Sequence, residues 1–313
     1  MKNEIRVFAP ASVSNIACGF DVMGFAIDEP GDEIVLRISE RPGVTITKIT
    51  GENGRLPLEA ELNTAGAPLL SMIEKLHITC GIEMEIHKKM PLGSGLGSSA
   101  ASAVGAAFAL NELLELRLSK EELLLFAIEG EKIASGSIHA DNVAPCLYGG
   151  FVLIRGYNPV IDVVEIEVPK NLYCTVIHPQ IEISTKEARK ILPKTIPLAD
   201  AITQWGNTAG LVAGLLKKDF GLIGRSLQDV VIEPVRSMLI PGFDEIKKAA
   251  MDSGALGCSI SGSGPSLFAL SSSLQTAVET GKSMKTALER FGLSGEVYVS
   301  KINKNGPRII ELK

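Results

Sequence analysis

Residues 91–114 read PLGSGLGSSAASAVGAAFALNELL, with glycines at 93, 95 and 97 and then a long run of small residues. Glycines at this spacing permit positive φ and let a ligand approach bare backbone. The run that follows reads as a helix, whose start carries unpaired N–H groups and a partial positive charge. Together these features make a phosphate-binding site. A Walker loop is excluded because no lysine follows Gly97, and the dinucleotide fingerprint is excluded because Ser98 stands where its third glycine belongs. The competing reading is a tight strand-to-helix turn with a small-residue helix packed on a sheet. Two adjacent hydroxyls, Ser98 and Ser99, favour the ligand site, since serine can donate to phosphate or coordinate magnesium.

Upstream of the loop, GIEMEIHKK alternates like a strand, and NTAGAPLLSMIEKLH, opening at Asn63, reads as a helix. EIRVFAP, DEIVLRISE and GVTITKIT are strands by alternation and β-branched content, with a polar elbow, ASVSNIACGFD, and VMGFAI between the first two. Downstream, Ser119 and Glu122 form a capping box that opens a helix over residues 120 to about 133. On that helix Leu124, Ile128 and Glu131 share one face, so Glu131 points inward as a potential magnesium ligand while Glu129 points away. SGSIHADNVAPCLYGG is rich in turn residues and reads as a loop, and FVLIRG returns as a strand.

A composition break at Pro169 divides the chain into 1–168 and 169–313. Beyond it lie the strand LYCTVIH, a capped helix STKEARKIL and helical stretches over 199–218, 222–230 and 243–253. A strand–glycine turn–strand unit, ALGCSISGSGPSLFAL, precedes a helix near 276–291 and a final strand, GEVYVSKI. Helices mixed with largely antiparallel sheet in both halves give an α+β fold.

At 313 residues, 45% hydrophobic and 21% charged, the chain is long enough for about two domains with sizeable cores. A net charge of −5 without a basic cluster argues against nucleic acid as a partner. No apolar run approaches the roughly 18 residues of a membrane span, and MKNEIRVFAP is not a signal peptide. The five cysteines are dispersed with no C-x-x-C pair, and the four histidines have no zinc spacing. Such a pattern suits a soluble protein of the reducing cytoplasm.

Three segments, APASVSNIACGFDVMGFAI, PLGSGLGSSAAS and GCSISGSGPSLFAL, occur in an order that resembles the GHMP-family small-molecule kinases. SGSIHADNVAPCLYGG narrows the resemblance to the homoserine kinases of that family. The resemblance implies an N-terminal ribosomal-protein-S5-domain-2-like domain and a ferredoxin-like C-terminal domain with the site between them. It implies that Pro91, Leu92, Gly93, Ser94, Gly95, Leu96, Gly97, Ser98 and Ser99 cradle the ATP phosphates, with Asn63 and Lys88 contacting the nucleotide. Ser99 and Glu131 would hold Mg2+. Asn15, Asp21, His139, Asn142, Thr185, Arg189 and Arg236 would surround the amino-acid substrate, with Gly262 and Gly264 closing over the reacting end.

The implied activity is ATP-dependent phosphorylation of the L-homoserine hydroxyl, a step of threonine biosynthesis. Small molecules would be the partners, and a homodimer stays open. Several related kinases carry an aspartate near the acceptor hydroxyl, whereas the matching position here is Asn142, one residue after Asp141. Asparagine cannot remove a proton, so the expected route holds the hydroxyl at Asn142 and releases its proton late, to phosphate or water. The alternatives are another small alcohol such as mevalonate, or a nucleotide- or metabolite-binding regulator. Retention of both Ser99 and Glu131 speaks against the regulator.

Overall fold

The computed structural model describes residues 3–135 and 139–313; positions 136–138 of SGSIHADNVAPCLYGG and the first two residues of MKNEIRVFAP lie outside the described residues. The first part of the chain runs β1 (Glu4–Ser14), β2 (Met23–Ser39), β3 (Val44–Thr50), α1 (Gly66–Lys75), β4 (Gly81–His87), α2 (Ser98–Leu113), α3 (Lys120–Ser135), α4 (Ala140–Tyr148), β5 (Phe151–Gly156) and β6 (Asp162–Ile166). The long β2 is its spine. β2 pairs antiparallel with β1 along most of its length, with β4 over its second half and with β5 at its start. β4 turns Ile82, Met84 and Ile86 inward and leaves Glu83, Glu85 and His87 half-exposed, the period-two pattern of a half-buried strand.

The second part runs β7 (Tyr173–Pro179), α5 (Thr185–Lys190), α6 (Leu198–Lys217), α7 (Phe220–Ser226), α8 (Glu233–Arg236), α9 (Phe243–Asp252), β8 (Gly257–Ile260), β9 (Leu267–Ser271), α10 (Leu274–Glu289), β10 (Gly295–Lys301) and β11 (Arg308–Leu312). Its antiparallel sheet has the order β10-β7-β9-β8. The two sheets share a core: Phe25 of β2 packs on Phe151 of β5 at 4.8 Å and edge-on to Phe268 of β9 at 5.8 Å. Aromatic pairs of this kind add about 0.5–1.5 kcal/mol each beyond the area they bury. A second cluster, including Ile246, Met284 and Leu288, lies under α9 and α10. Among the described residues no helix is long and apolar enough to cross a membrane.

α2 is buried nearly all round and packs against β1, β2, α1, α3 and α4. Its alanines at 100, 101, 103, 106, 107 and 109 let a helix sit that deep, so small size serves packing here, whatever its N-terminus binds.

Two expectations need correction. The segment read as a turn-rich loop contains α4. That helix is buried on every side except at Asn142, so it shows no amphipathic period, and the Gly, Ser and Pro residues of the segment point to a turn instead. GEVYVSKI is not the final strand: β11 follows it and pairs with β1, Ile5 opposite Leu312 and Val7 opposite Ile309. Residues 308–312, assigned by the sequence to the second domain, therefore form the edge of the first sheet.

Candidate active site

The glycine loop between β4 and α2 is fixed from below by one buried ion pair. Lys88 contacts Asp32 and also donates to the Ser98 carbonyl at 2.8 Å and to Ser102 Oγ at 2.7 Å. Asp32 in turn accepts from the backbone N–H groups of Lys89 (2.8 Å) and Met90 (3.2 Å) and from Ser98 Oγ (3.1 Å). All three ammonium hydrogens of Lys88 are thus committed, and its side chain is 2% exposed. It borders the cleft but anchors the loop, which departs from the expected nucleotide contact.

Above, the third glycine-rich segment clamps the loop. Ser261 Oγ donates to the Gly95 carbonyl at 2.7 Å, and Ser266 N–H donates to the Ser94 carbonyl at 3.3 Å. Gly95 has φ +77°, and a Cβ there would stand 2.4 Å from the Ser261 oxygen and 2.8 Å from the Gly264 oxygen. The close approach that demands glycine at 95 is therefore made by the chain itself. Gly97, at φ +65°, ends the loop, and α2 begins with no side-chain cap, leaving its first N–H groups for a ligand.

A cleft of about 350 Å3 opens over this loop. Leu92, Gly93, Ser94, Gly95, Gly97, Ser98 and Ser99 line it, whereas Pro91, Leu96 and Gly264 do not. Leu96 is fully buried, and its carbonyl accepts from Ser12 N–H at 3.1 Å. Asn63 also misses the cleft: its side chain spans the turn before α1, donating to the Pro57 carbonyl (2.8 Å) and accepting from Ala65 N–H (2.9 Å). Its neighbour Thr64 reaches the cleft instead, with Leu56, Leu62 and Ile133 as an apolar rim. From α3, Glu131 is buried and accepts from Ser99 Oγ at 3.1 Å, while Glu129 faces outward and pairs with Lys132.

At the other end lies the elbow between β1 and β2. Asn15, Ile16, Ala17 and Asp21 have φ of +71°, +37°, +56° and +58°, a run of left-handed non-glycine residues that persists only where the surroundings enforce it. Asn15 supplies part of that enforcement. Its side chain accepts from Asp21 N–H (3.0 Å) and donates to the Gly262 carbonyl (2.7 Å). Both ends of the Asn15 amide are thereby engaged within the protein.

Arg189 of α5 grips Asp21 with both terminal nitrogens, at 2.7 and 3.0 Å, and lies 3.3 Å from His139 Nδ1. Arg236, at the end of α8, donates to the Gly262 carbonyl at 3.0 Å. Both guanidinium groups sit over the Phe20 ring, 5.5 and 5.1 Å from its centroid. Burial, and then the Arg189 charge, lowers the pKa of His139 and of Arg236. His139 is consequently neutral at neutral pH, and Arg236 stays charged. Thr185 Oγ1 meets Ser263 Oγ at 3.1 Å, and Asn142 Oδ1 accepts from Ser12 Oγ at 3.3 Å.

Two residues that the motif assignments passed over complete this end. Phe20 is the shared platform of both arginines, a role with no signal in sequence. Asp141 is wholly buried beside Asp21, with one carboxylate oxygen left without a hydrogen-bond partner. Burial first, and the Asp21 charge second, push its pKa up to about 7. Ligating atoms of Asp21, His139 and Asp141 come within 4.8 Å of one another, but the Arg189 guanidinium already supplies the positive charge there.

Ser99 and Glu131 offer two hard oxygen ligands beside the start of α2, a donor set that fits Mg2+, which takes few protein ligands and completes its shell with water and phosphate. The cleft thus joins a phosphate-and-metal end to an amino-acid-sized end bearing two cations and two acids.

Two family models match the chain. GHMP kinases N terminal domain matches residues 63–150, and GHMP kinases C terminal matches residues 211–290. The chain is 53% identical to the homoserine kinase of Chlorobaculum tepidum over 97% of both chains. It resembles the crystal structure of homoserine kinase from Cytophaga hutchinsonii with a TM-score of 0.97 and 60% identity, over 99% of this chain and 98% of that one. The L. major mevalonate kinase structure shares the fold at a TM-score of 0.73 and 20% identity, over 96% of both chains. The chain belongs to the GHMP kinase family, in its homoserine kinase branch.

Proposed function

We propose that this kinase transfers the γ-phosphoryl group of ATP to the side-chain hydroxyl of L-homoserine, giving O-phospho-L-homoserine and ADP. The observation that carries the reading is the charge pattern of the substrate end: Arg189 and Arg236 on one aromatic ring, facing Asp21 and Asp141. A substrate with a carboxylate alone would need only the arginines. A zwitterion uses both signs. Asp21 pairs with Arg189 in the way a substrate carboxylate would. Binding then becomes an exchange: the carboxylate takes the guanidinium groups, and the ammonium takes the released Asp21 and the unpartnered oxygen of Asp141.

At the other end the amides of the loop residues that line the cleft, together with the start of α2, bind the triphosphate, and the rim of Leu56, Leu62 and Ile133 covers the base. Ser99 and Glu131 hold Mg2+, which, when bound, neutralises charge on the transferring phosphoryl group. Asn142 positions the acceptor hydroxyl and cannot take its proton, which leaves late, to phosphate or water. A carboxyl with a pKa of about 7 is also suited to base catalysis, which makes Asp141 the one residue favouring a second route. Asp141→Asn separates the two. A rise in homoserine KM supports the ammonium role, whereas a large loss of kcat with KM unchanged supports the base. The unpaired cysteines, Cys18, Cys80, Cys146, Cys174 and Cys258, favour the cytoplasm.

The experiment for the function is ADP release from magnesium-ATP across a panel of small alcohols. L-homoserine should be turned over well ahead of mevalonate. The reverse order would overturn the substrate, and tight ATP binding with no turnover of any alcohol would mark a regulator.

A further inference from the structure

Among the described residues none of α6 lines the cleft, yet two of its side chains hold the substrate end together from behind. Gln204 Nε2 donates to the Cys18 carbonyl at 3.2 Å and to Asp229 Oδ1 at 3.0 Å, while its Oε1 accepts from Val230 N–H at 3.1 Å. Thr208 Oγ1 lies 2.8 Å from the same Cys18 carbonyl. The amide has one sensible orientation, because a flip would set its oxygen against a carbonyl and a carboxylate.

The two ends of this bridge lead to opposite halves of the amino-acid clamp. Cys18 sits inside the left-handed elbow, just before Phe20 and Asp21. Asp229 shapes the turn entering α8: its Oδ1 accepts from Val231 and Ile232 N–H and its Oδ2 from Glu233 N–H, each at 2.9 Å. α8 ends in Arg236. One side-chain amide therefore spans from the acidic elbow to the turn that carries the buried cation. A strained elbow relaxes when its restraints go, and here relaxation would shift Asp21 and the Phe20 platform relative to Arg236.

We propose that Gln204 is a positioning residue for substrate selection: with Thr208 it sets the spacing between the Asp21 and Arg236 halves of the clamp. This inference rests on the clamp reading given under the proposed function. It concerns homoserine alone, since the loop that binds phosphate is held by Lys88, Asp32 and Ser261 and shares no bond with Gln204.

Gln204→Met keeps length and volume and removes the bridge, and Thr208→Val keeps shape and removes one bond. Each lost hydrogen bond is worth about a three- to tenfold change. Steady-state kinetics of Gln204→Met should give a homoserine KM raised about tenfold or more, with ATP KM and kcat within about threefold of wild type. Thr208→Val should raise homoserine KM about threefold, and it carries the test alone if Gln204→Met fails to fold. In an Asp21→Asn background the effect of Gln204→Met should shrink, because the spacing it sets has lost one of its ends. That non-additivity is what a merely structural residue would not show. The proposal is overturned if homoserine KM stays at the wild-type value, if the KM values for both substrates rise together, or if the two substitutions simply add. If Asp21→Asn alone leaves homoserine KM unchanged, the clamp reading itself fails; if Asp21→Asn raises it and the α6 variants do not, only the positioning role fails.

Discussion

Gly95→Ala tests whether the middle glycine of the loop serves the ligand or the fold. Alanine at φ +77° costs about 1–2 kcal/mol from backbone sterics alone. Its Cβ would also stand 2.4 and 2.8 Å from two carbonyl oxygens, of Ser261 and Gly264. Both are backbone, so neither can rotate away, and the turn over residues 261–264 must lift. Lifting it weakens the bond from Ser261 Oγ to the Gly95 carbonyl (2.7 Å) and that from Gly262 N–H to the Ser14 carbonyl (3.2 Å). At about 0.5–1.5 kcal/mol per bond, the total reaches about 2–5 kcal/mol.

At about 2–4 °C per kcal/mol, thermal melts followed by circular dichroism should show Tm lowered by about 4–20 °C without ligand. Gly262 also holds Asn15, so homoserine KM should rise as well. Calorimetric titration of the folded variant with magnesium-ATP should show a smaller change in affinity. A melting temperature within about 2 °C of wild type, together with ATP affinity lowered about a hundredfold, would refute the reasoning and return the space at Gly95 to the phosphates. Gly93→Ala is the contrast: at φ +65° it shares the backbone cost, but the atoms it would meet belong to the exposed end of the Glu182 side chain, paired with Arg55, which can shift where a backbone carbonyl cannot.

Glu131→Gln keeps volume and removes the charge proposed to hold Mg2+; kcat should fall at least about a hundredfold in magnesium-ATP turnover, with the melting curve little changed. Lys88→Met leaves Asp32 buried without its partner, so denaturant titration should show a loss of about 3–5 kcal/mol, whereas a stable variant with only ATP affinity reduced would restore the nucleotide-contact role. Asp141 is protonated in the fold up to about pH 7 but ionises near its ordinary 3.8 when unfolded. Its contribution to stability is therefore complete in acid and is lost as pH rises through about 7, so Tm of the ligand-free enzyme should fall across that window and Asp141→Asn should flatten the fall. Homoserine affinity should move the opposite way, rising as the carboxylate forms to meet the ammonium, and a pH-independent affinity would remove Asp141 from the clamp.

Local signals in the sequence were readable where local chemistry decides the structure. Ser119 and Glu122 cap α3 reciprocally, Glu122 N–H to Ser119 Oγ at 3.2 Å and Ser119 N–H to Glu122 Oε2 at 2.8 Å. Ser184 accepts from Glu187 N–H at the start of α5, and the inward turn of Glu131 follows from helical period alone. Legibility failed where a distant partner decides. β11 is a short, exposed edge strand whose order comes from β1, some 300 residues earlier, and nothing within RIIEL announces that pairing. α4 carries Pro145 inside it, which takes the usual donor from the Asp141 carbonyl, and that carbonyl lies against Gly24 of β2, where a Cβ would stand 2.1 Å from it.

The same division runs through the site. Motif order brings Asn15, Ser99, Glu131, Asn142, Arg189 and Arg236 to one cleft, because a motif records which residue types a site needs. It does not record what each residue spends its hydrogen bonds on. Asn63 and Lys88 lie next to the right places, yet their polar atoms are consumed by the turn and the loop they build. Asp141 is the converse case. In sequence it is one aspartate beside a more suggestive asparagine; its pKa of about 7 exists only because the fold removes water and sets Asp21 nearby. A charge whose properties come from desolvation has no local signature. On the proposed reading, substrate selection would have two layers: charges that the sequence displays, and a restraint network from α6 through Asp229 that only the folded chain brings to bear on them.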